Sequence, residues 1–179
     1  MAGEARYVVG LGASAGGLEA LERFFDHCPT QSGAAFIVVM HLSRNFRSML
    51  DEVLARHTKM PVLPAAQGQQ LEENTVYVIQ PATILEVSGF ELSVSSRPTI
   101  DPSGPPTHID VLFRSIAQSF GDRAGAVVLS GSGSDGAQGL HDVLDAGGMA
   151  CAQSPETAKF DSMPLAAIAR ASVRAVDAP

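Results

Sequence analysis

Three polar residues stand where chemistry could be done: Ser14 within Gly12-Ala-Ser-Ala-Gly16, His41 at the end of Val38-Val-Met-His41, and Asp135 within Ser130-Gly-Ser-Gly-Ser-Asp-Gly136. A serine, a histidine and a carboxylate are the parts of a nucleophile, base and orienter set for acyl transfer. Each also has a plainer reading. Ser14 and Asp135 precede helical stretches and could be N-caps, and a histidine at a strand end is commonly just a satisfied polar group. Placement favours the set: each residue follows an apolar run that reads as a strand, and residues at the carboxyl ends of parallel strands converge on one crevice.

The turn around Ser14 satisfies two signatures. Gly10, Gly12 and Ala15 fit the dinucleotide spacing G-x-G-x-x-G/A, and Gly12 to Gly16 fits the nucleophile elbow G-x-S-x-G. In the first reading the glycines and the helix dipole hold a pyrophosphate, and Arg44 suits the 2′-phosphate of NADP. A chain of 179 residues leaves little room for a separate substrate domain, and Tyr77 is followed by Val-Ile-Gln rather than by a Tyr-x-x-x-Lys pair. In the second reading Gly12, Gly16 and Gly17 keep side chains away from Ser14, so that an ester on a bulky protein can reach it. The order Ser14, His41, Asp135 differs from the serine, acid, histidine order of α/β-hydrolases, which places the same chemistry on another scaffold. His27 and His57 close helices, where a cation suits the dipole, and His141 lies on a polar helix face. His108 with Asp110 could imitate a catalytic pair, but both fall in a helix's first turn.

The elements that must position these residues follow a βαβ rhythm. Continuous apolar runs at Tyr7 to Val9, Ala35 to Met40, Val62 to Leu63, Val76 to Ile79, Ala126 to Leu129 and Ala150 to Ala152 read as strands buried on both faces. Helical periodicity lies between them in Leu18, Leu21, Phe24 and Phe25, in Phe46, Met49, Leu50, Val53 and Leu54, and in Ile109, Leu112, Phe113 and Ile116. A further helix holds Leu140, Val143 and Leu144. Such alternation requires an α/β fold with a largely parallel sheet. Ile84 to Val87 and Glu91 to Val94 alternate around Ser88-Gly-Phe and predict an antiparallel hairpin at an edge or over a face. Arg97 to Thr107 holds four prolines and reads as a loop, after which Thr107 and Asp110 are spaced to cap the next helix.

Composition bounds the rest. A chain of this length that is 45% hydrophobic can bury roughly 70% of its unfolded surface, so residues 1–179 read as one domain. No apolar run is long enough to span a membrane and no signal segment precedes the first strand, which predicts a soluble, cytoplasmic protein. The net charge of −7 argues against general nucleic-acid or anionic-membrane binding, although Arg44, Arg47, Arg56 and Lys59 cluster locally. Cys28 and Cys151 have no CxxC spacing and read as reduced structural thiols.

Gly12-Ala-Ser-Ala-Gly-Gly17, Val38-Val-Met-His-Leu42, Ile109-Asp-Val-Leu-Phe-Arg-Ser115 and Ser130-Gly-Ser-Gly-Ser-Asp-Gly-Ala137 occur in the order seen in the catalytic domain of the bacterial chemotaxis receptor methylesterases (CheB), which this chain resembles. Val76-Tyr-Val-Ile79 and Phe160-Asp-Ser-Met-Pro164 extend the resemblance over nearly the whole sequence. It implies a doubly wound, mainly parallel sheet with helices on both faces and an antiparallel hairpin. It also implies hydrolysis of glutamyl methyl esters on the cytoplasmic helices of chemoreceptors, with deamidation of receptor glutamines as a second activity.

By motif, Ser14 resembles the nucleophile, His41 the base and Asp135 the orienter, with no cofactor or metal. Ala15, Gly131, Ser132 and Gly133 form the oxyanion loop, and Arg44 and Arg47 are candidates for attracting an acidic receptor segment. Ala15 stands where the family usually has a hydroxyl residue and Ser132 where it usually has methionine. The receiver domain of the well-known enzyme has no counterpart here, and the wording of Val53 to Pro61 is closer to methylesterase/methyltransferase hybrids. A homologue that has lost activity and serves as a receptor-binding module is the alternative.

Overall fold

The apolar runs Ala35 to Met40 and Val76 to Ile79 become interior strands, whereas Val62 and Leu63, expected to be buried on both faces, form an edge strand with Leu63 exposed. The computed structural model describes residues 3–41, 49–97 and 107–176. Its elements in chain order are β1 (Tyr7–Ala13), α1 (Gly17–His27), β2 (Ala34–Met40), α2 (Leu50–Leu54), β3 (Val62–Pro64), β4 (Thr75–Val78), β5 (Thr83–Ser88), β6 (Glu91–Ser96), α3 (His108–Phe120), β7 (Ala124–Val128), α4 (Ala137–Asp145), β8 (Met149–Gln153), α5 (Ser162–Ala171) and β9 (Arg174–Val176). Seven strands form one sheet in the order β3-β4-β2-β1-β7-β8-β9, and every neighbouring pair is parallel.

The chain first winds outward from β1 through β2 toward β3 and β4, then returns to β7 on the other side of β1 and winds outward again. The reversal falls between β1 and β7, and a doubly wound sheet opens its ligand crevice at such a switch point. One face is covered by α1 and α2 through Leu21, Phe25, Leu50 and Leu54, which pack on Leu11, Val38 and Val76. The other face is covered by α3 to α5, with Ile109, Leu112, Phe113, Ile116 and Phe120 buried on α3 alone. Each such side chain contributes roughly 1.5–3 kcal/mol by leaving water.

Gly10 and Gly12 have their explanation in this packing. A Cβ at Gly10 would lie 2.7 Å from the Phe113 ring, and one at Gly12 would overlap Ile109. Two missing side chains let α3 lie directly on β1, which brings the first turn of α3 to the strand's carboxyl end. The space beside those glycines is filled by α3, not left for a pyrophosphate. Gly17 similarly lets α1 close on Ala13, 2.5 Å from a Cβ built there. Gly12 and Gly17 therefore serve helix packing rather than substrate access. Gly16 serves both turn and packing, with φ of 68° and a would-be Cβ 2.8 Å from Lys159 Cβ.

Local details sharpen or change the expectations. Of its two expected places the hairpin β5–β6 does not take a sheet edge; it is a separate two-stranded sheet laid over α3, where Val87 N–H donates to Ser115 Oγ and Ser119 Oγ donates to the Val87 carbonyl. Thr107 makes no side-chain cap, and Asp110 reaches another helix instead of its own. Helix α5 and strand β9 carried no periodic signal: α5 is alanine-rich with Pro164 in its first turn, where proline is tolerated, and β9 is three exposed residues held by pairing with β8. The proline-rich stretch lies largely in residues 98–106, and Phe46 in 42–48, outside the described residues.

Candidate active site

Strand register alone sets the first two groups side by side. Ala13 and Met40 are partners in the β1–β2 ladder, so Ser14 and His41 are the next residues of adjacent strands, and His41 N–H donates to the Ala13 carbonyl at 3.3 Å. On the other flank, Leu129 N–H donates to the Gly12 carbonyl at 2.8 Å and Ser14 N–H to the Ser130 carbonyl at 3.0 Å. The loop after β7 thereby grips the turn that carries Ser14. Ser14 does not cap α1, whose N-cap is the left-handed Gly16.

Asp135 comes from that same loop and lies 2.8 Å from His41, Oδ2 to Nε2. Only 2% of the Asp135 side chain is exposed against 20% for His41, so the contact is shielded from water, where a charge-assisted hydrogen bond is strong. The same carboxylate accepts Ile109 N–H on Oδ2 at 3.0 Å and Asp110 N–H on Oδ1 at 2.9 Å. Asp135 therefore is a helix cap, but of α3, not of α4 as its sequence position suggests. Its two lobes fix its orientation, so His41 meets an oxygen already held in place. His108, buried beside it, turns its ring against His41, with centroids 6.1 Å apart and planes at 87°.

The loop itself is tied by one residue that the sequence reading passed over. Ser130 is fully buried; its Oγ donates to the Ala15 carbonyl at 2.9 Å and accepts Phe160 N–H at 3.0 Å, while its N–H donates to Gln153 Oε1 at 2.9 Å. Serine in a Gly-Ser run carries no signal of such a role. Gly131 donates its N–H to the Phe160 carbonyl at 3.0 Å, so it is not a spare oxyanion donor. It provides room: a Cβ there would overlap Met163 and come within 2.9 Å of Ser14 Cβ. Ser132 and Gly133 lie beyond it on an exposed turn, with Gly133 at φ 90°. Ala15 carries no hydroxyl, and its carbonyl is the one engaged by Ser130.

Beside Ser14 a cleft of about 530 Å³ is lined by Leu18, Glu22, Met40 and Lys159. Lys159 was not singled out by its sequence context, because the segment before α5 reaches the site through tertiary contacts with Ser130, Gly131 and Gly16. Arg44 and Arg47, the basic residues expected near His41, lie outside the described residues. The rival nucleophiles are dull: burial raises the Cys28 and Cys151 thiols, which disfavours the thiolate, and both cysteines are free. His57 sits between Asp26 and Glu22, and His27 bonds the Arg23 carbonyl.

Comparison with known proteins shows the family. A family model described as CheB methylesterase matches residues 9–179. A protein of Anaeromyxobacter dehalogenans named protein-glutamate methylesterase/protein-glutamine glutaminase 3 is 37% identical over 96% of this chain and 50% of its own length. A putative protein-glutamate methylesterase/protein-glutamine glutaminase of Leptospira interrogans is 32% identical over 91% of this chain and 84% of its own. A 104.1 kDa protein of Rhodobacter capsulatus is 49% identical over 65% of this chain, which is 12% of that protein. The chain thus spans anything from a small part to most of the relatives it matches. In fold it is similar to the crystal structure of the Thermotoga maritima CheB methylesterase catalytic domain, with TM-score 0.82, 24% identity, and 95% and 91% of the two chains covered.

Proposed function

Because the chain belongs to the CheB methylesterase family, we propose that it hydrolyses methyl esters of glutamyl side chains on chemoreceptors through Ser14, His41 and Asp135, with residues 1–179 acting as one catalytic unit. The observation that carries the reading is the 2.8 Å contact of His41 Nε2 with a buried carboxylate whose other contacts are backbone N–H groups. Asp135 holds His41 with its proton on Nε2, leaving Nδ1 as the base. Nδ1 takes the Ser14 proton as Oγ attacks the ester carbonyl. The tetrahedral intermediate collapses with loss of methanol, which receives the proton from His41, and water cleaves the acyl-enzyme by the same path in reverse.

With the N–H groups of Ser14 and Gly131 committed to Ser130 and Phe160 carbonyls, the oxyanion donors in this reading are those of Ala15, Ser132 and Gly133. A receptor glutamine would form the same acyl-enzyme with ammonia leaving. Lys159, which shares the cleft with Glu19 and Glu22, and Arg44 and Arg47, which follow His41 in the sequence, supply positive charge for an acidic receptor helix in this reading. No described helix is long and apolar enough to cross a membrane.

Methanol release from a methylated receptor fragment tests this. Ser14→Ala is expected to lower it ~10⁴-fold or more with the fold intact. Release that survives the substitution overturns the assignment, and a wild-type chain that binds receptor without releasing methanol would be the inactive homologue.

A further inference from the structure

Helices α3 and α4 cap each other crosswise. Asp135, just before α4, accepts the N–H groups of Ile109 and Asp110 in the first turn of α3. Asp110, in that first turn, accepts the Gly139 N–H of α4 at 2.6 Å, and the Gly136 N–H also stabilises its charge. Gly136 is the residue bonded covalently to Asp135. The two turns are pressed together, since a Cβ at Gly139 would lie 3.1 Å from Asp110 Cα. Each carboxylate thus satisfies orphan N–H groups of the other's helix, and neither helix has a side-chain cap of its own.

This exchange fixes the position of Asp135 from both sides. Its carboxylate is held by the α3 backbone, and the first turn of α4, which follows it in the chain, is held by Asp110 through Gly139 N–H. We propose that Asp110 is a positioning residue for the Asp135–His41 pair, an inference that deepens the esterase reading and rests on it for its kinetic consequence. Asp110 touches neither substrate nor His41. It acts through Asp135, whose Oδ2 must stay within hydrogen-bond reach of Nε2 for His41 to present Nδ1 to Ser14. A small displacement of a catalytic group costs rate rather than binding.

The experiment compares Asp110→Ala with Asp110→Asn in the full chain. The asparagine keeps an amide oxygen for Gly139 N–H, and the alanine does not. D110A is expected to lower kcat by about 10–100-fold with KM within about 2-fold, and D110N to recover most of that loss. In parallel, ¹⁵N NMR of the His41 ring should lose the Nε2–H signal of the Asp135 bond in D110A and keep it in D110N. If D110A fails to fold, D110E, which keeps the charge but shifts the oxygens by one methylene, takes its place with the same expected loss of kcat.

A D110A protein of lowered stability with unchanged kcat and His41 signal overturns the proposal and leaves Asp110 a plain cap. Equal impairment of D110N and D110A in both readouts also overturns it, because charge rather than geometry would then be at work. Wild-type protein that releases no methanol would sink the esterase reading alone, since the NMR comparison still decides the positioning role.

Discussion

Two clefts of similar size lie at opposite ends of the same sheet. The one at the carboxyl ends, about 530 Å³, is lined by Ser14, by Met40, the residue before His41, and by Glu19, Glu22 and Lys159. The one at the amino ends, about 480 Å³, is lined by Tyr7, Val9, Cys28, Phe36, Met149 and Cys151 and is overwhelmingly apolar. Volume does not separate them. Parallel strands send all their loops of one kind to one end, and the turns after β1, β2 and β7 carry a hydroxyl, an imidazole and a carboxylate with crossed helix caps behind them. The amino-end cleft has side chains but no network, and its two thiols are raised by burial. Convergent polar groups held by backbone, rather than concavity, favour the carboxyl end as the proposed site of the chemistry.

The largest test of that contrast is Asp135→Asn. Disturbing the histidine tautomer is expected to cost up to ~10⁴-fold in kcat, with a stability loss of about 1 kcal/mol from the weakened α3 cap. Methanol release and thermal melts on one preparation check both. A melting shift without a kcat loss would reduce Asp135 to a cap.

Next comes Gly131→Ala, whose new methyl must displace Met163 or Ser14. A loss of about 10–100-fold in methanol release is expected from misplacing the nucleophile. Full activity would mean that the Met163 side chain yields and that the close approach has no catalytic use.

A smaller effect sits in the crossed caps and is read by pH. Burial, and after it the charge of Asp135, hold the Asp110 carboxyl above its ordinary 3.8, against the Gly139 and Gly136 N–H groups and Arg114, which pull the other way. The folded chain therefore binds this proton more tightly than the unfolded chain, and the group's contribution to stability falls as pH rises through the window just above 3.8. Asparagine does not titrate, so the stability of D110N relative to wild type should shift in the variant's favour between about pH 4 and about pH 7. A difference that stays flat in denaturant titrations across that range would mean that Asp110 is not held above its ordinary range.

The smallest effect is expected at the amino-end cleft. Met149→Gln alters a side chain that is 79% exposed and should change stability by no more than about 0.5 kcal/mol, with kcat unchanged. A tenfold fall in methanol release would break the comparison, because that cleft would then communicate with the site.

The sequence made much of this legible, for reasons that particular residues show. Ala35 to Met40 is a run of buried apolar residues, and such runs have few alternatives to an interior parallel strand. Ser14 and His41 were legible as candidates because each directly follows a strand, where ladder register sets them side by side, whereas Asp135 lies in the loop after β7 and is placed by α3 N–H groups. The hairpin's existence was also legible, but not its place on α3, since alternation specifies a buried face without naming what buries it. Ser130 and Lys159 were not legible, because their importance comes from a segment 30 residues away along the chain that folds back onto the nucleophile's turn.

What the sequence determined by itself was the set of chemical groups, the order of the elements and the family, all of which are properties of local pattern and spacing. Tertiary structure decided which helix Asp135 caps, that Asp110 answers it, that Gly10 and Gly12 admit α3, and that Gly131 gives its N–H to Phe160. Those are pairings between groups distant in the chain. A hydrogen-bond acceptor or a missing side chain has no partner in the sequence until packing brings one within 3 Å, roughly the length of the bond itself.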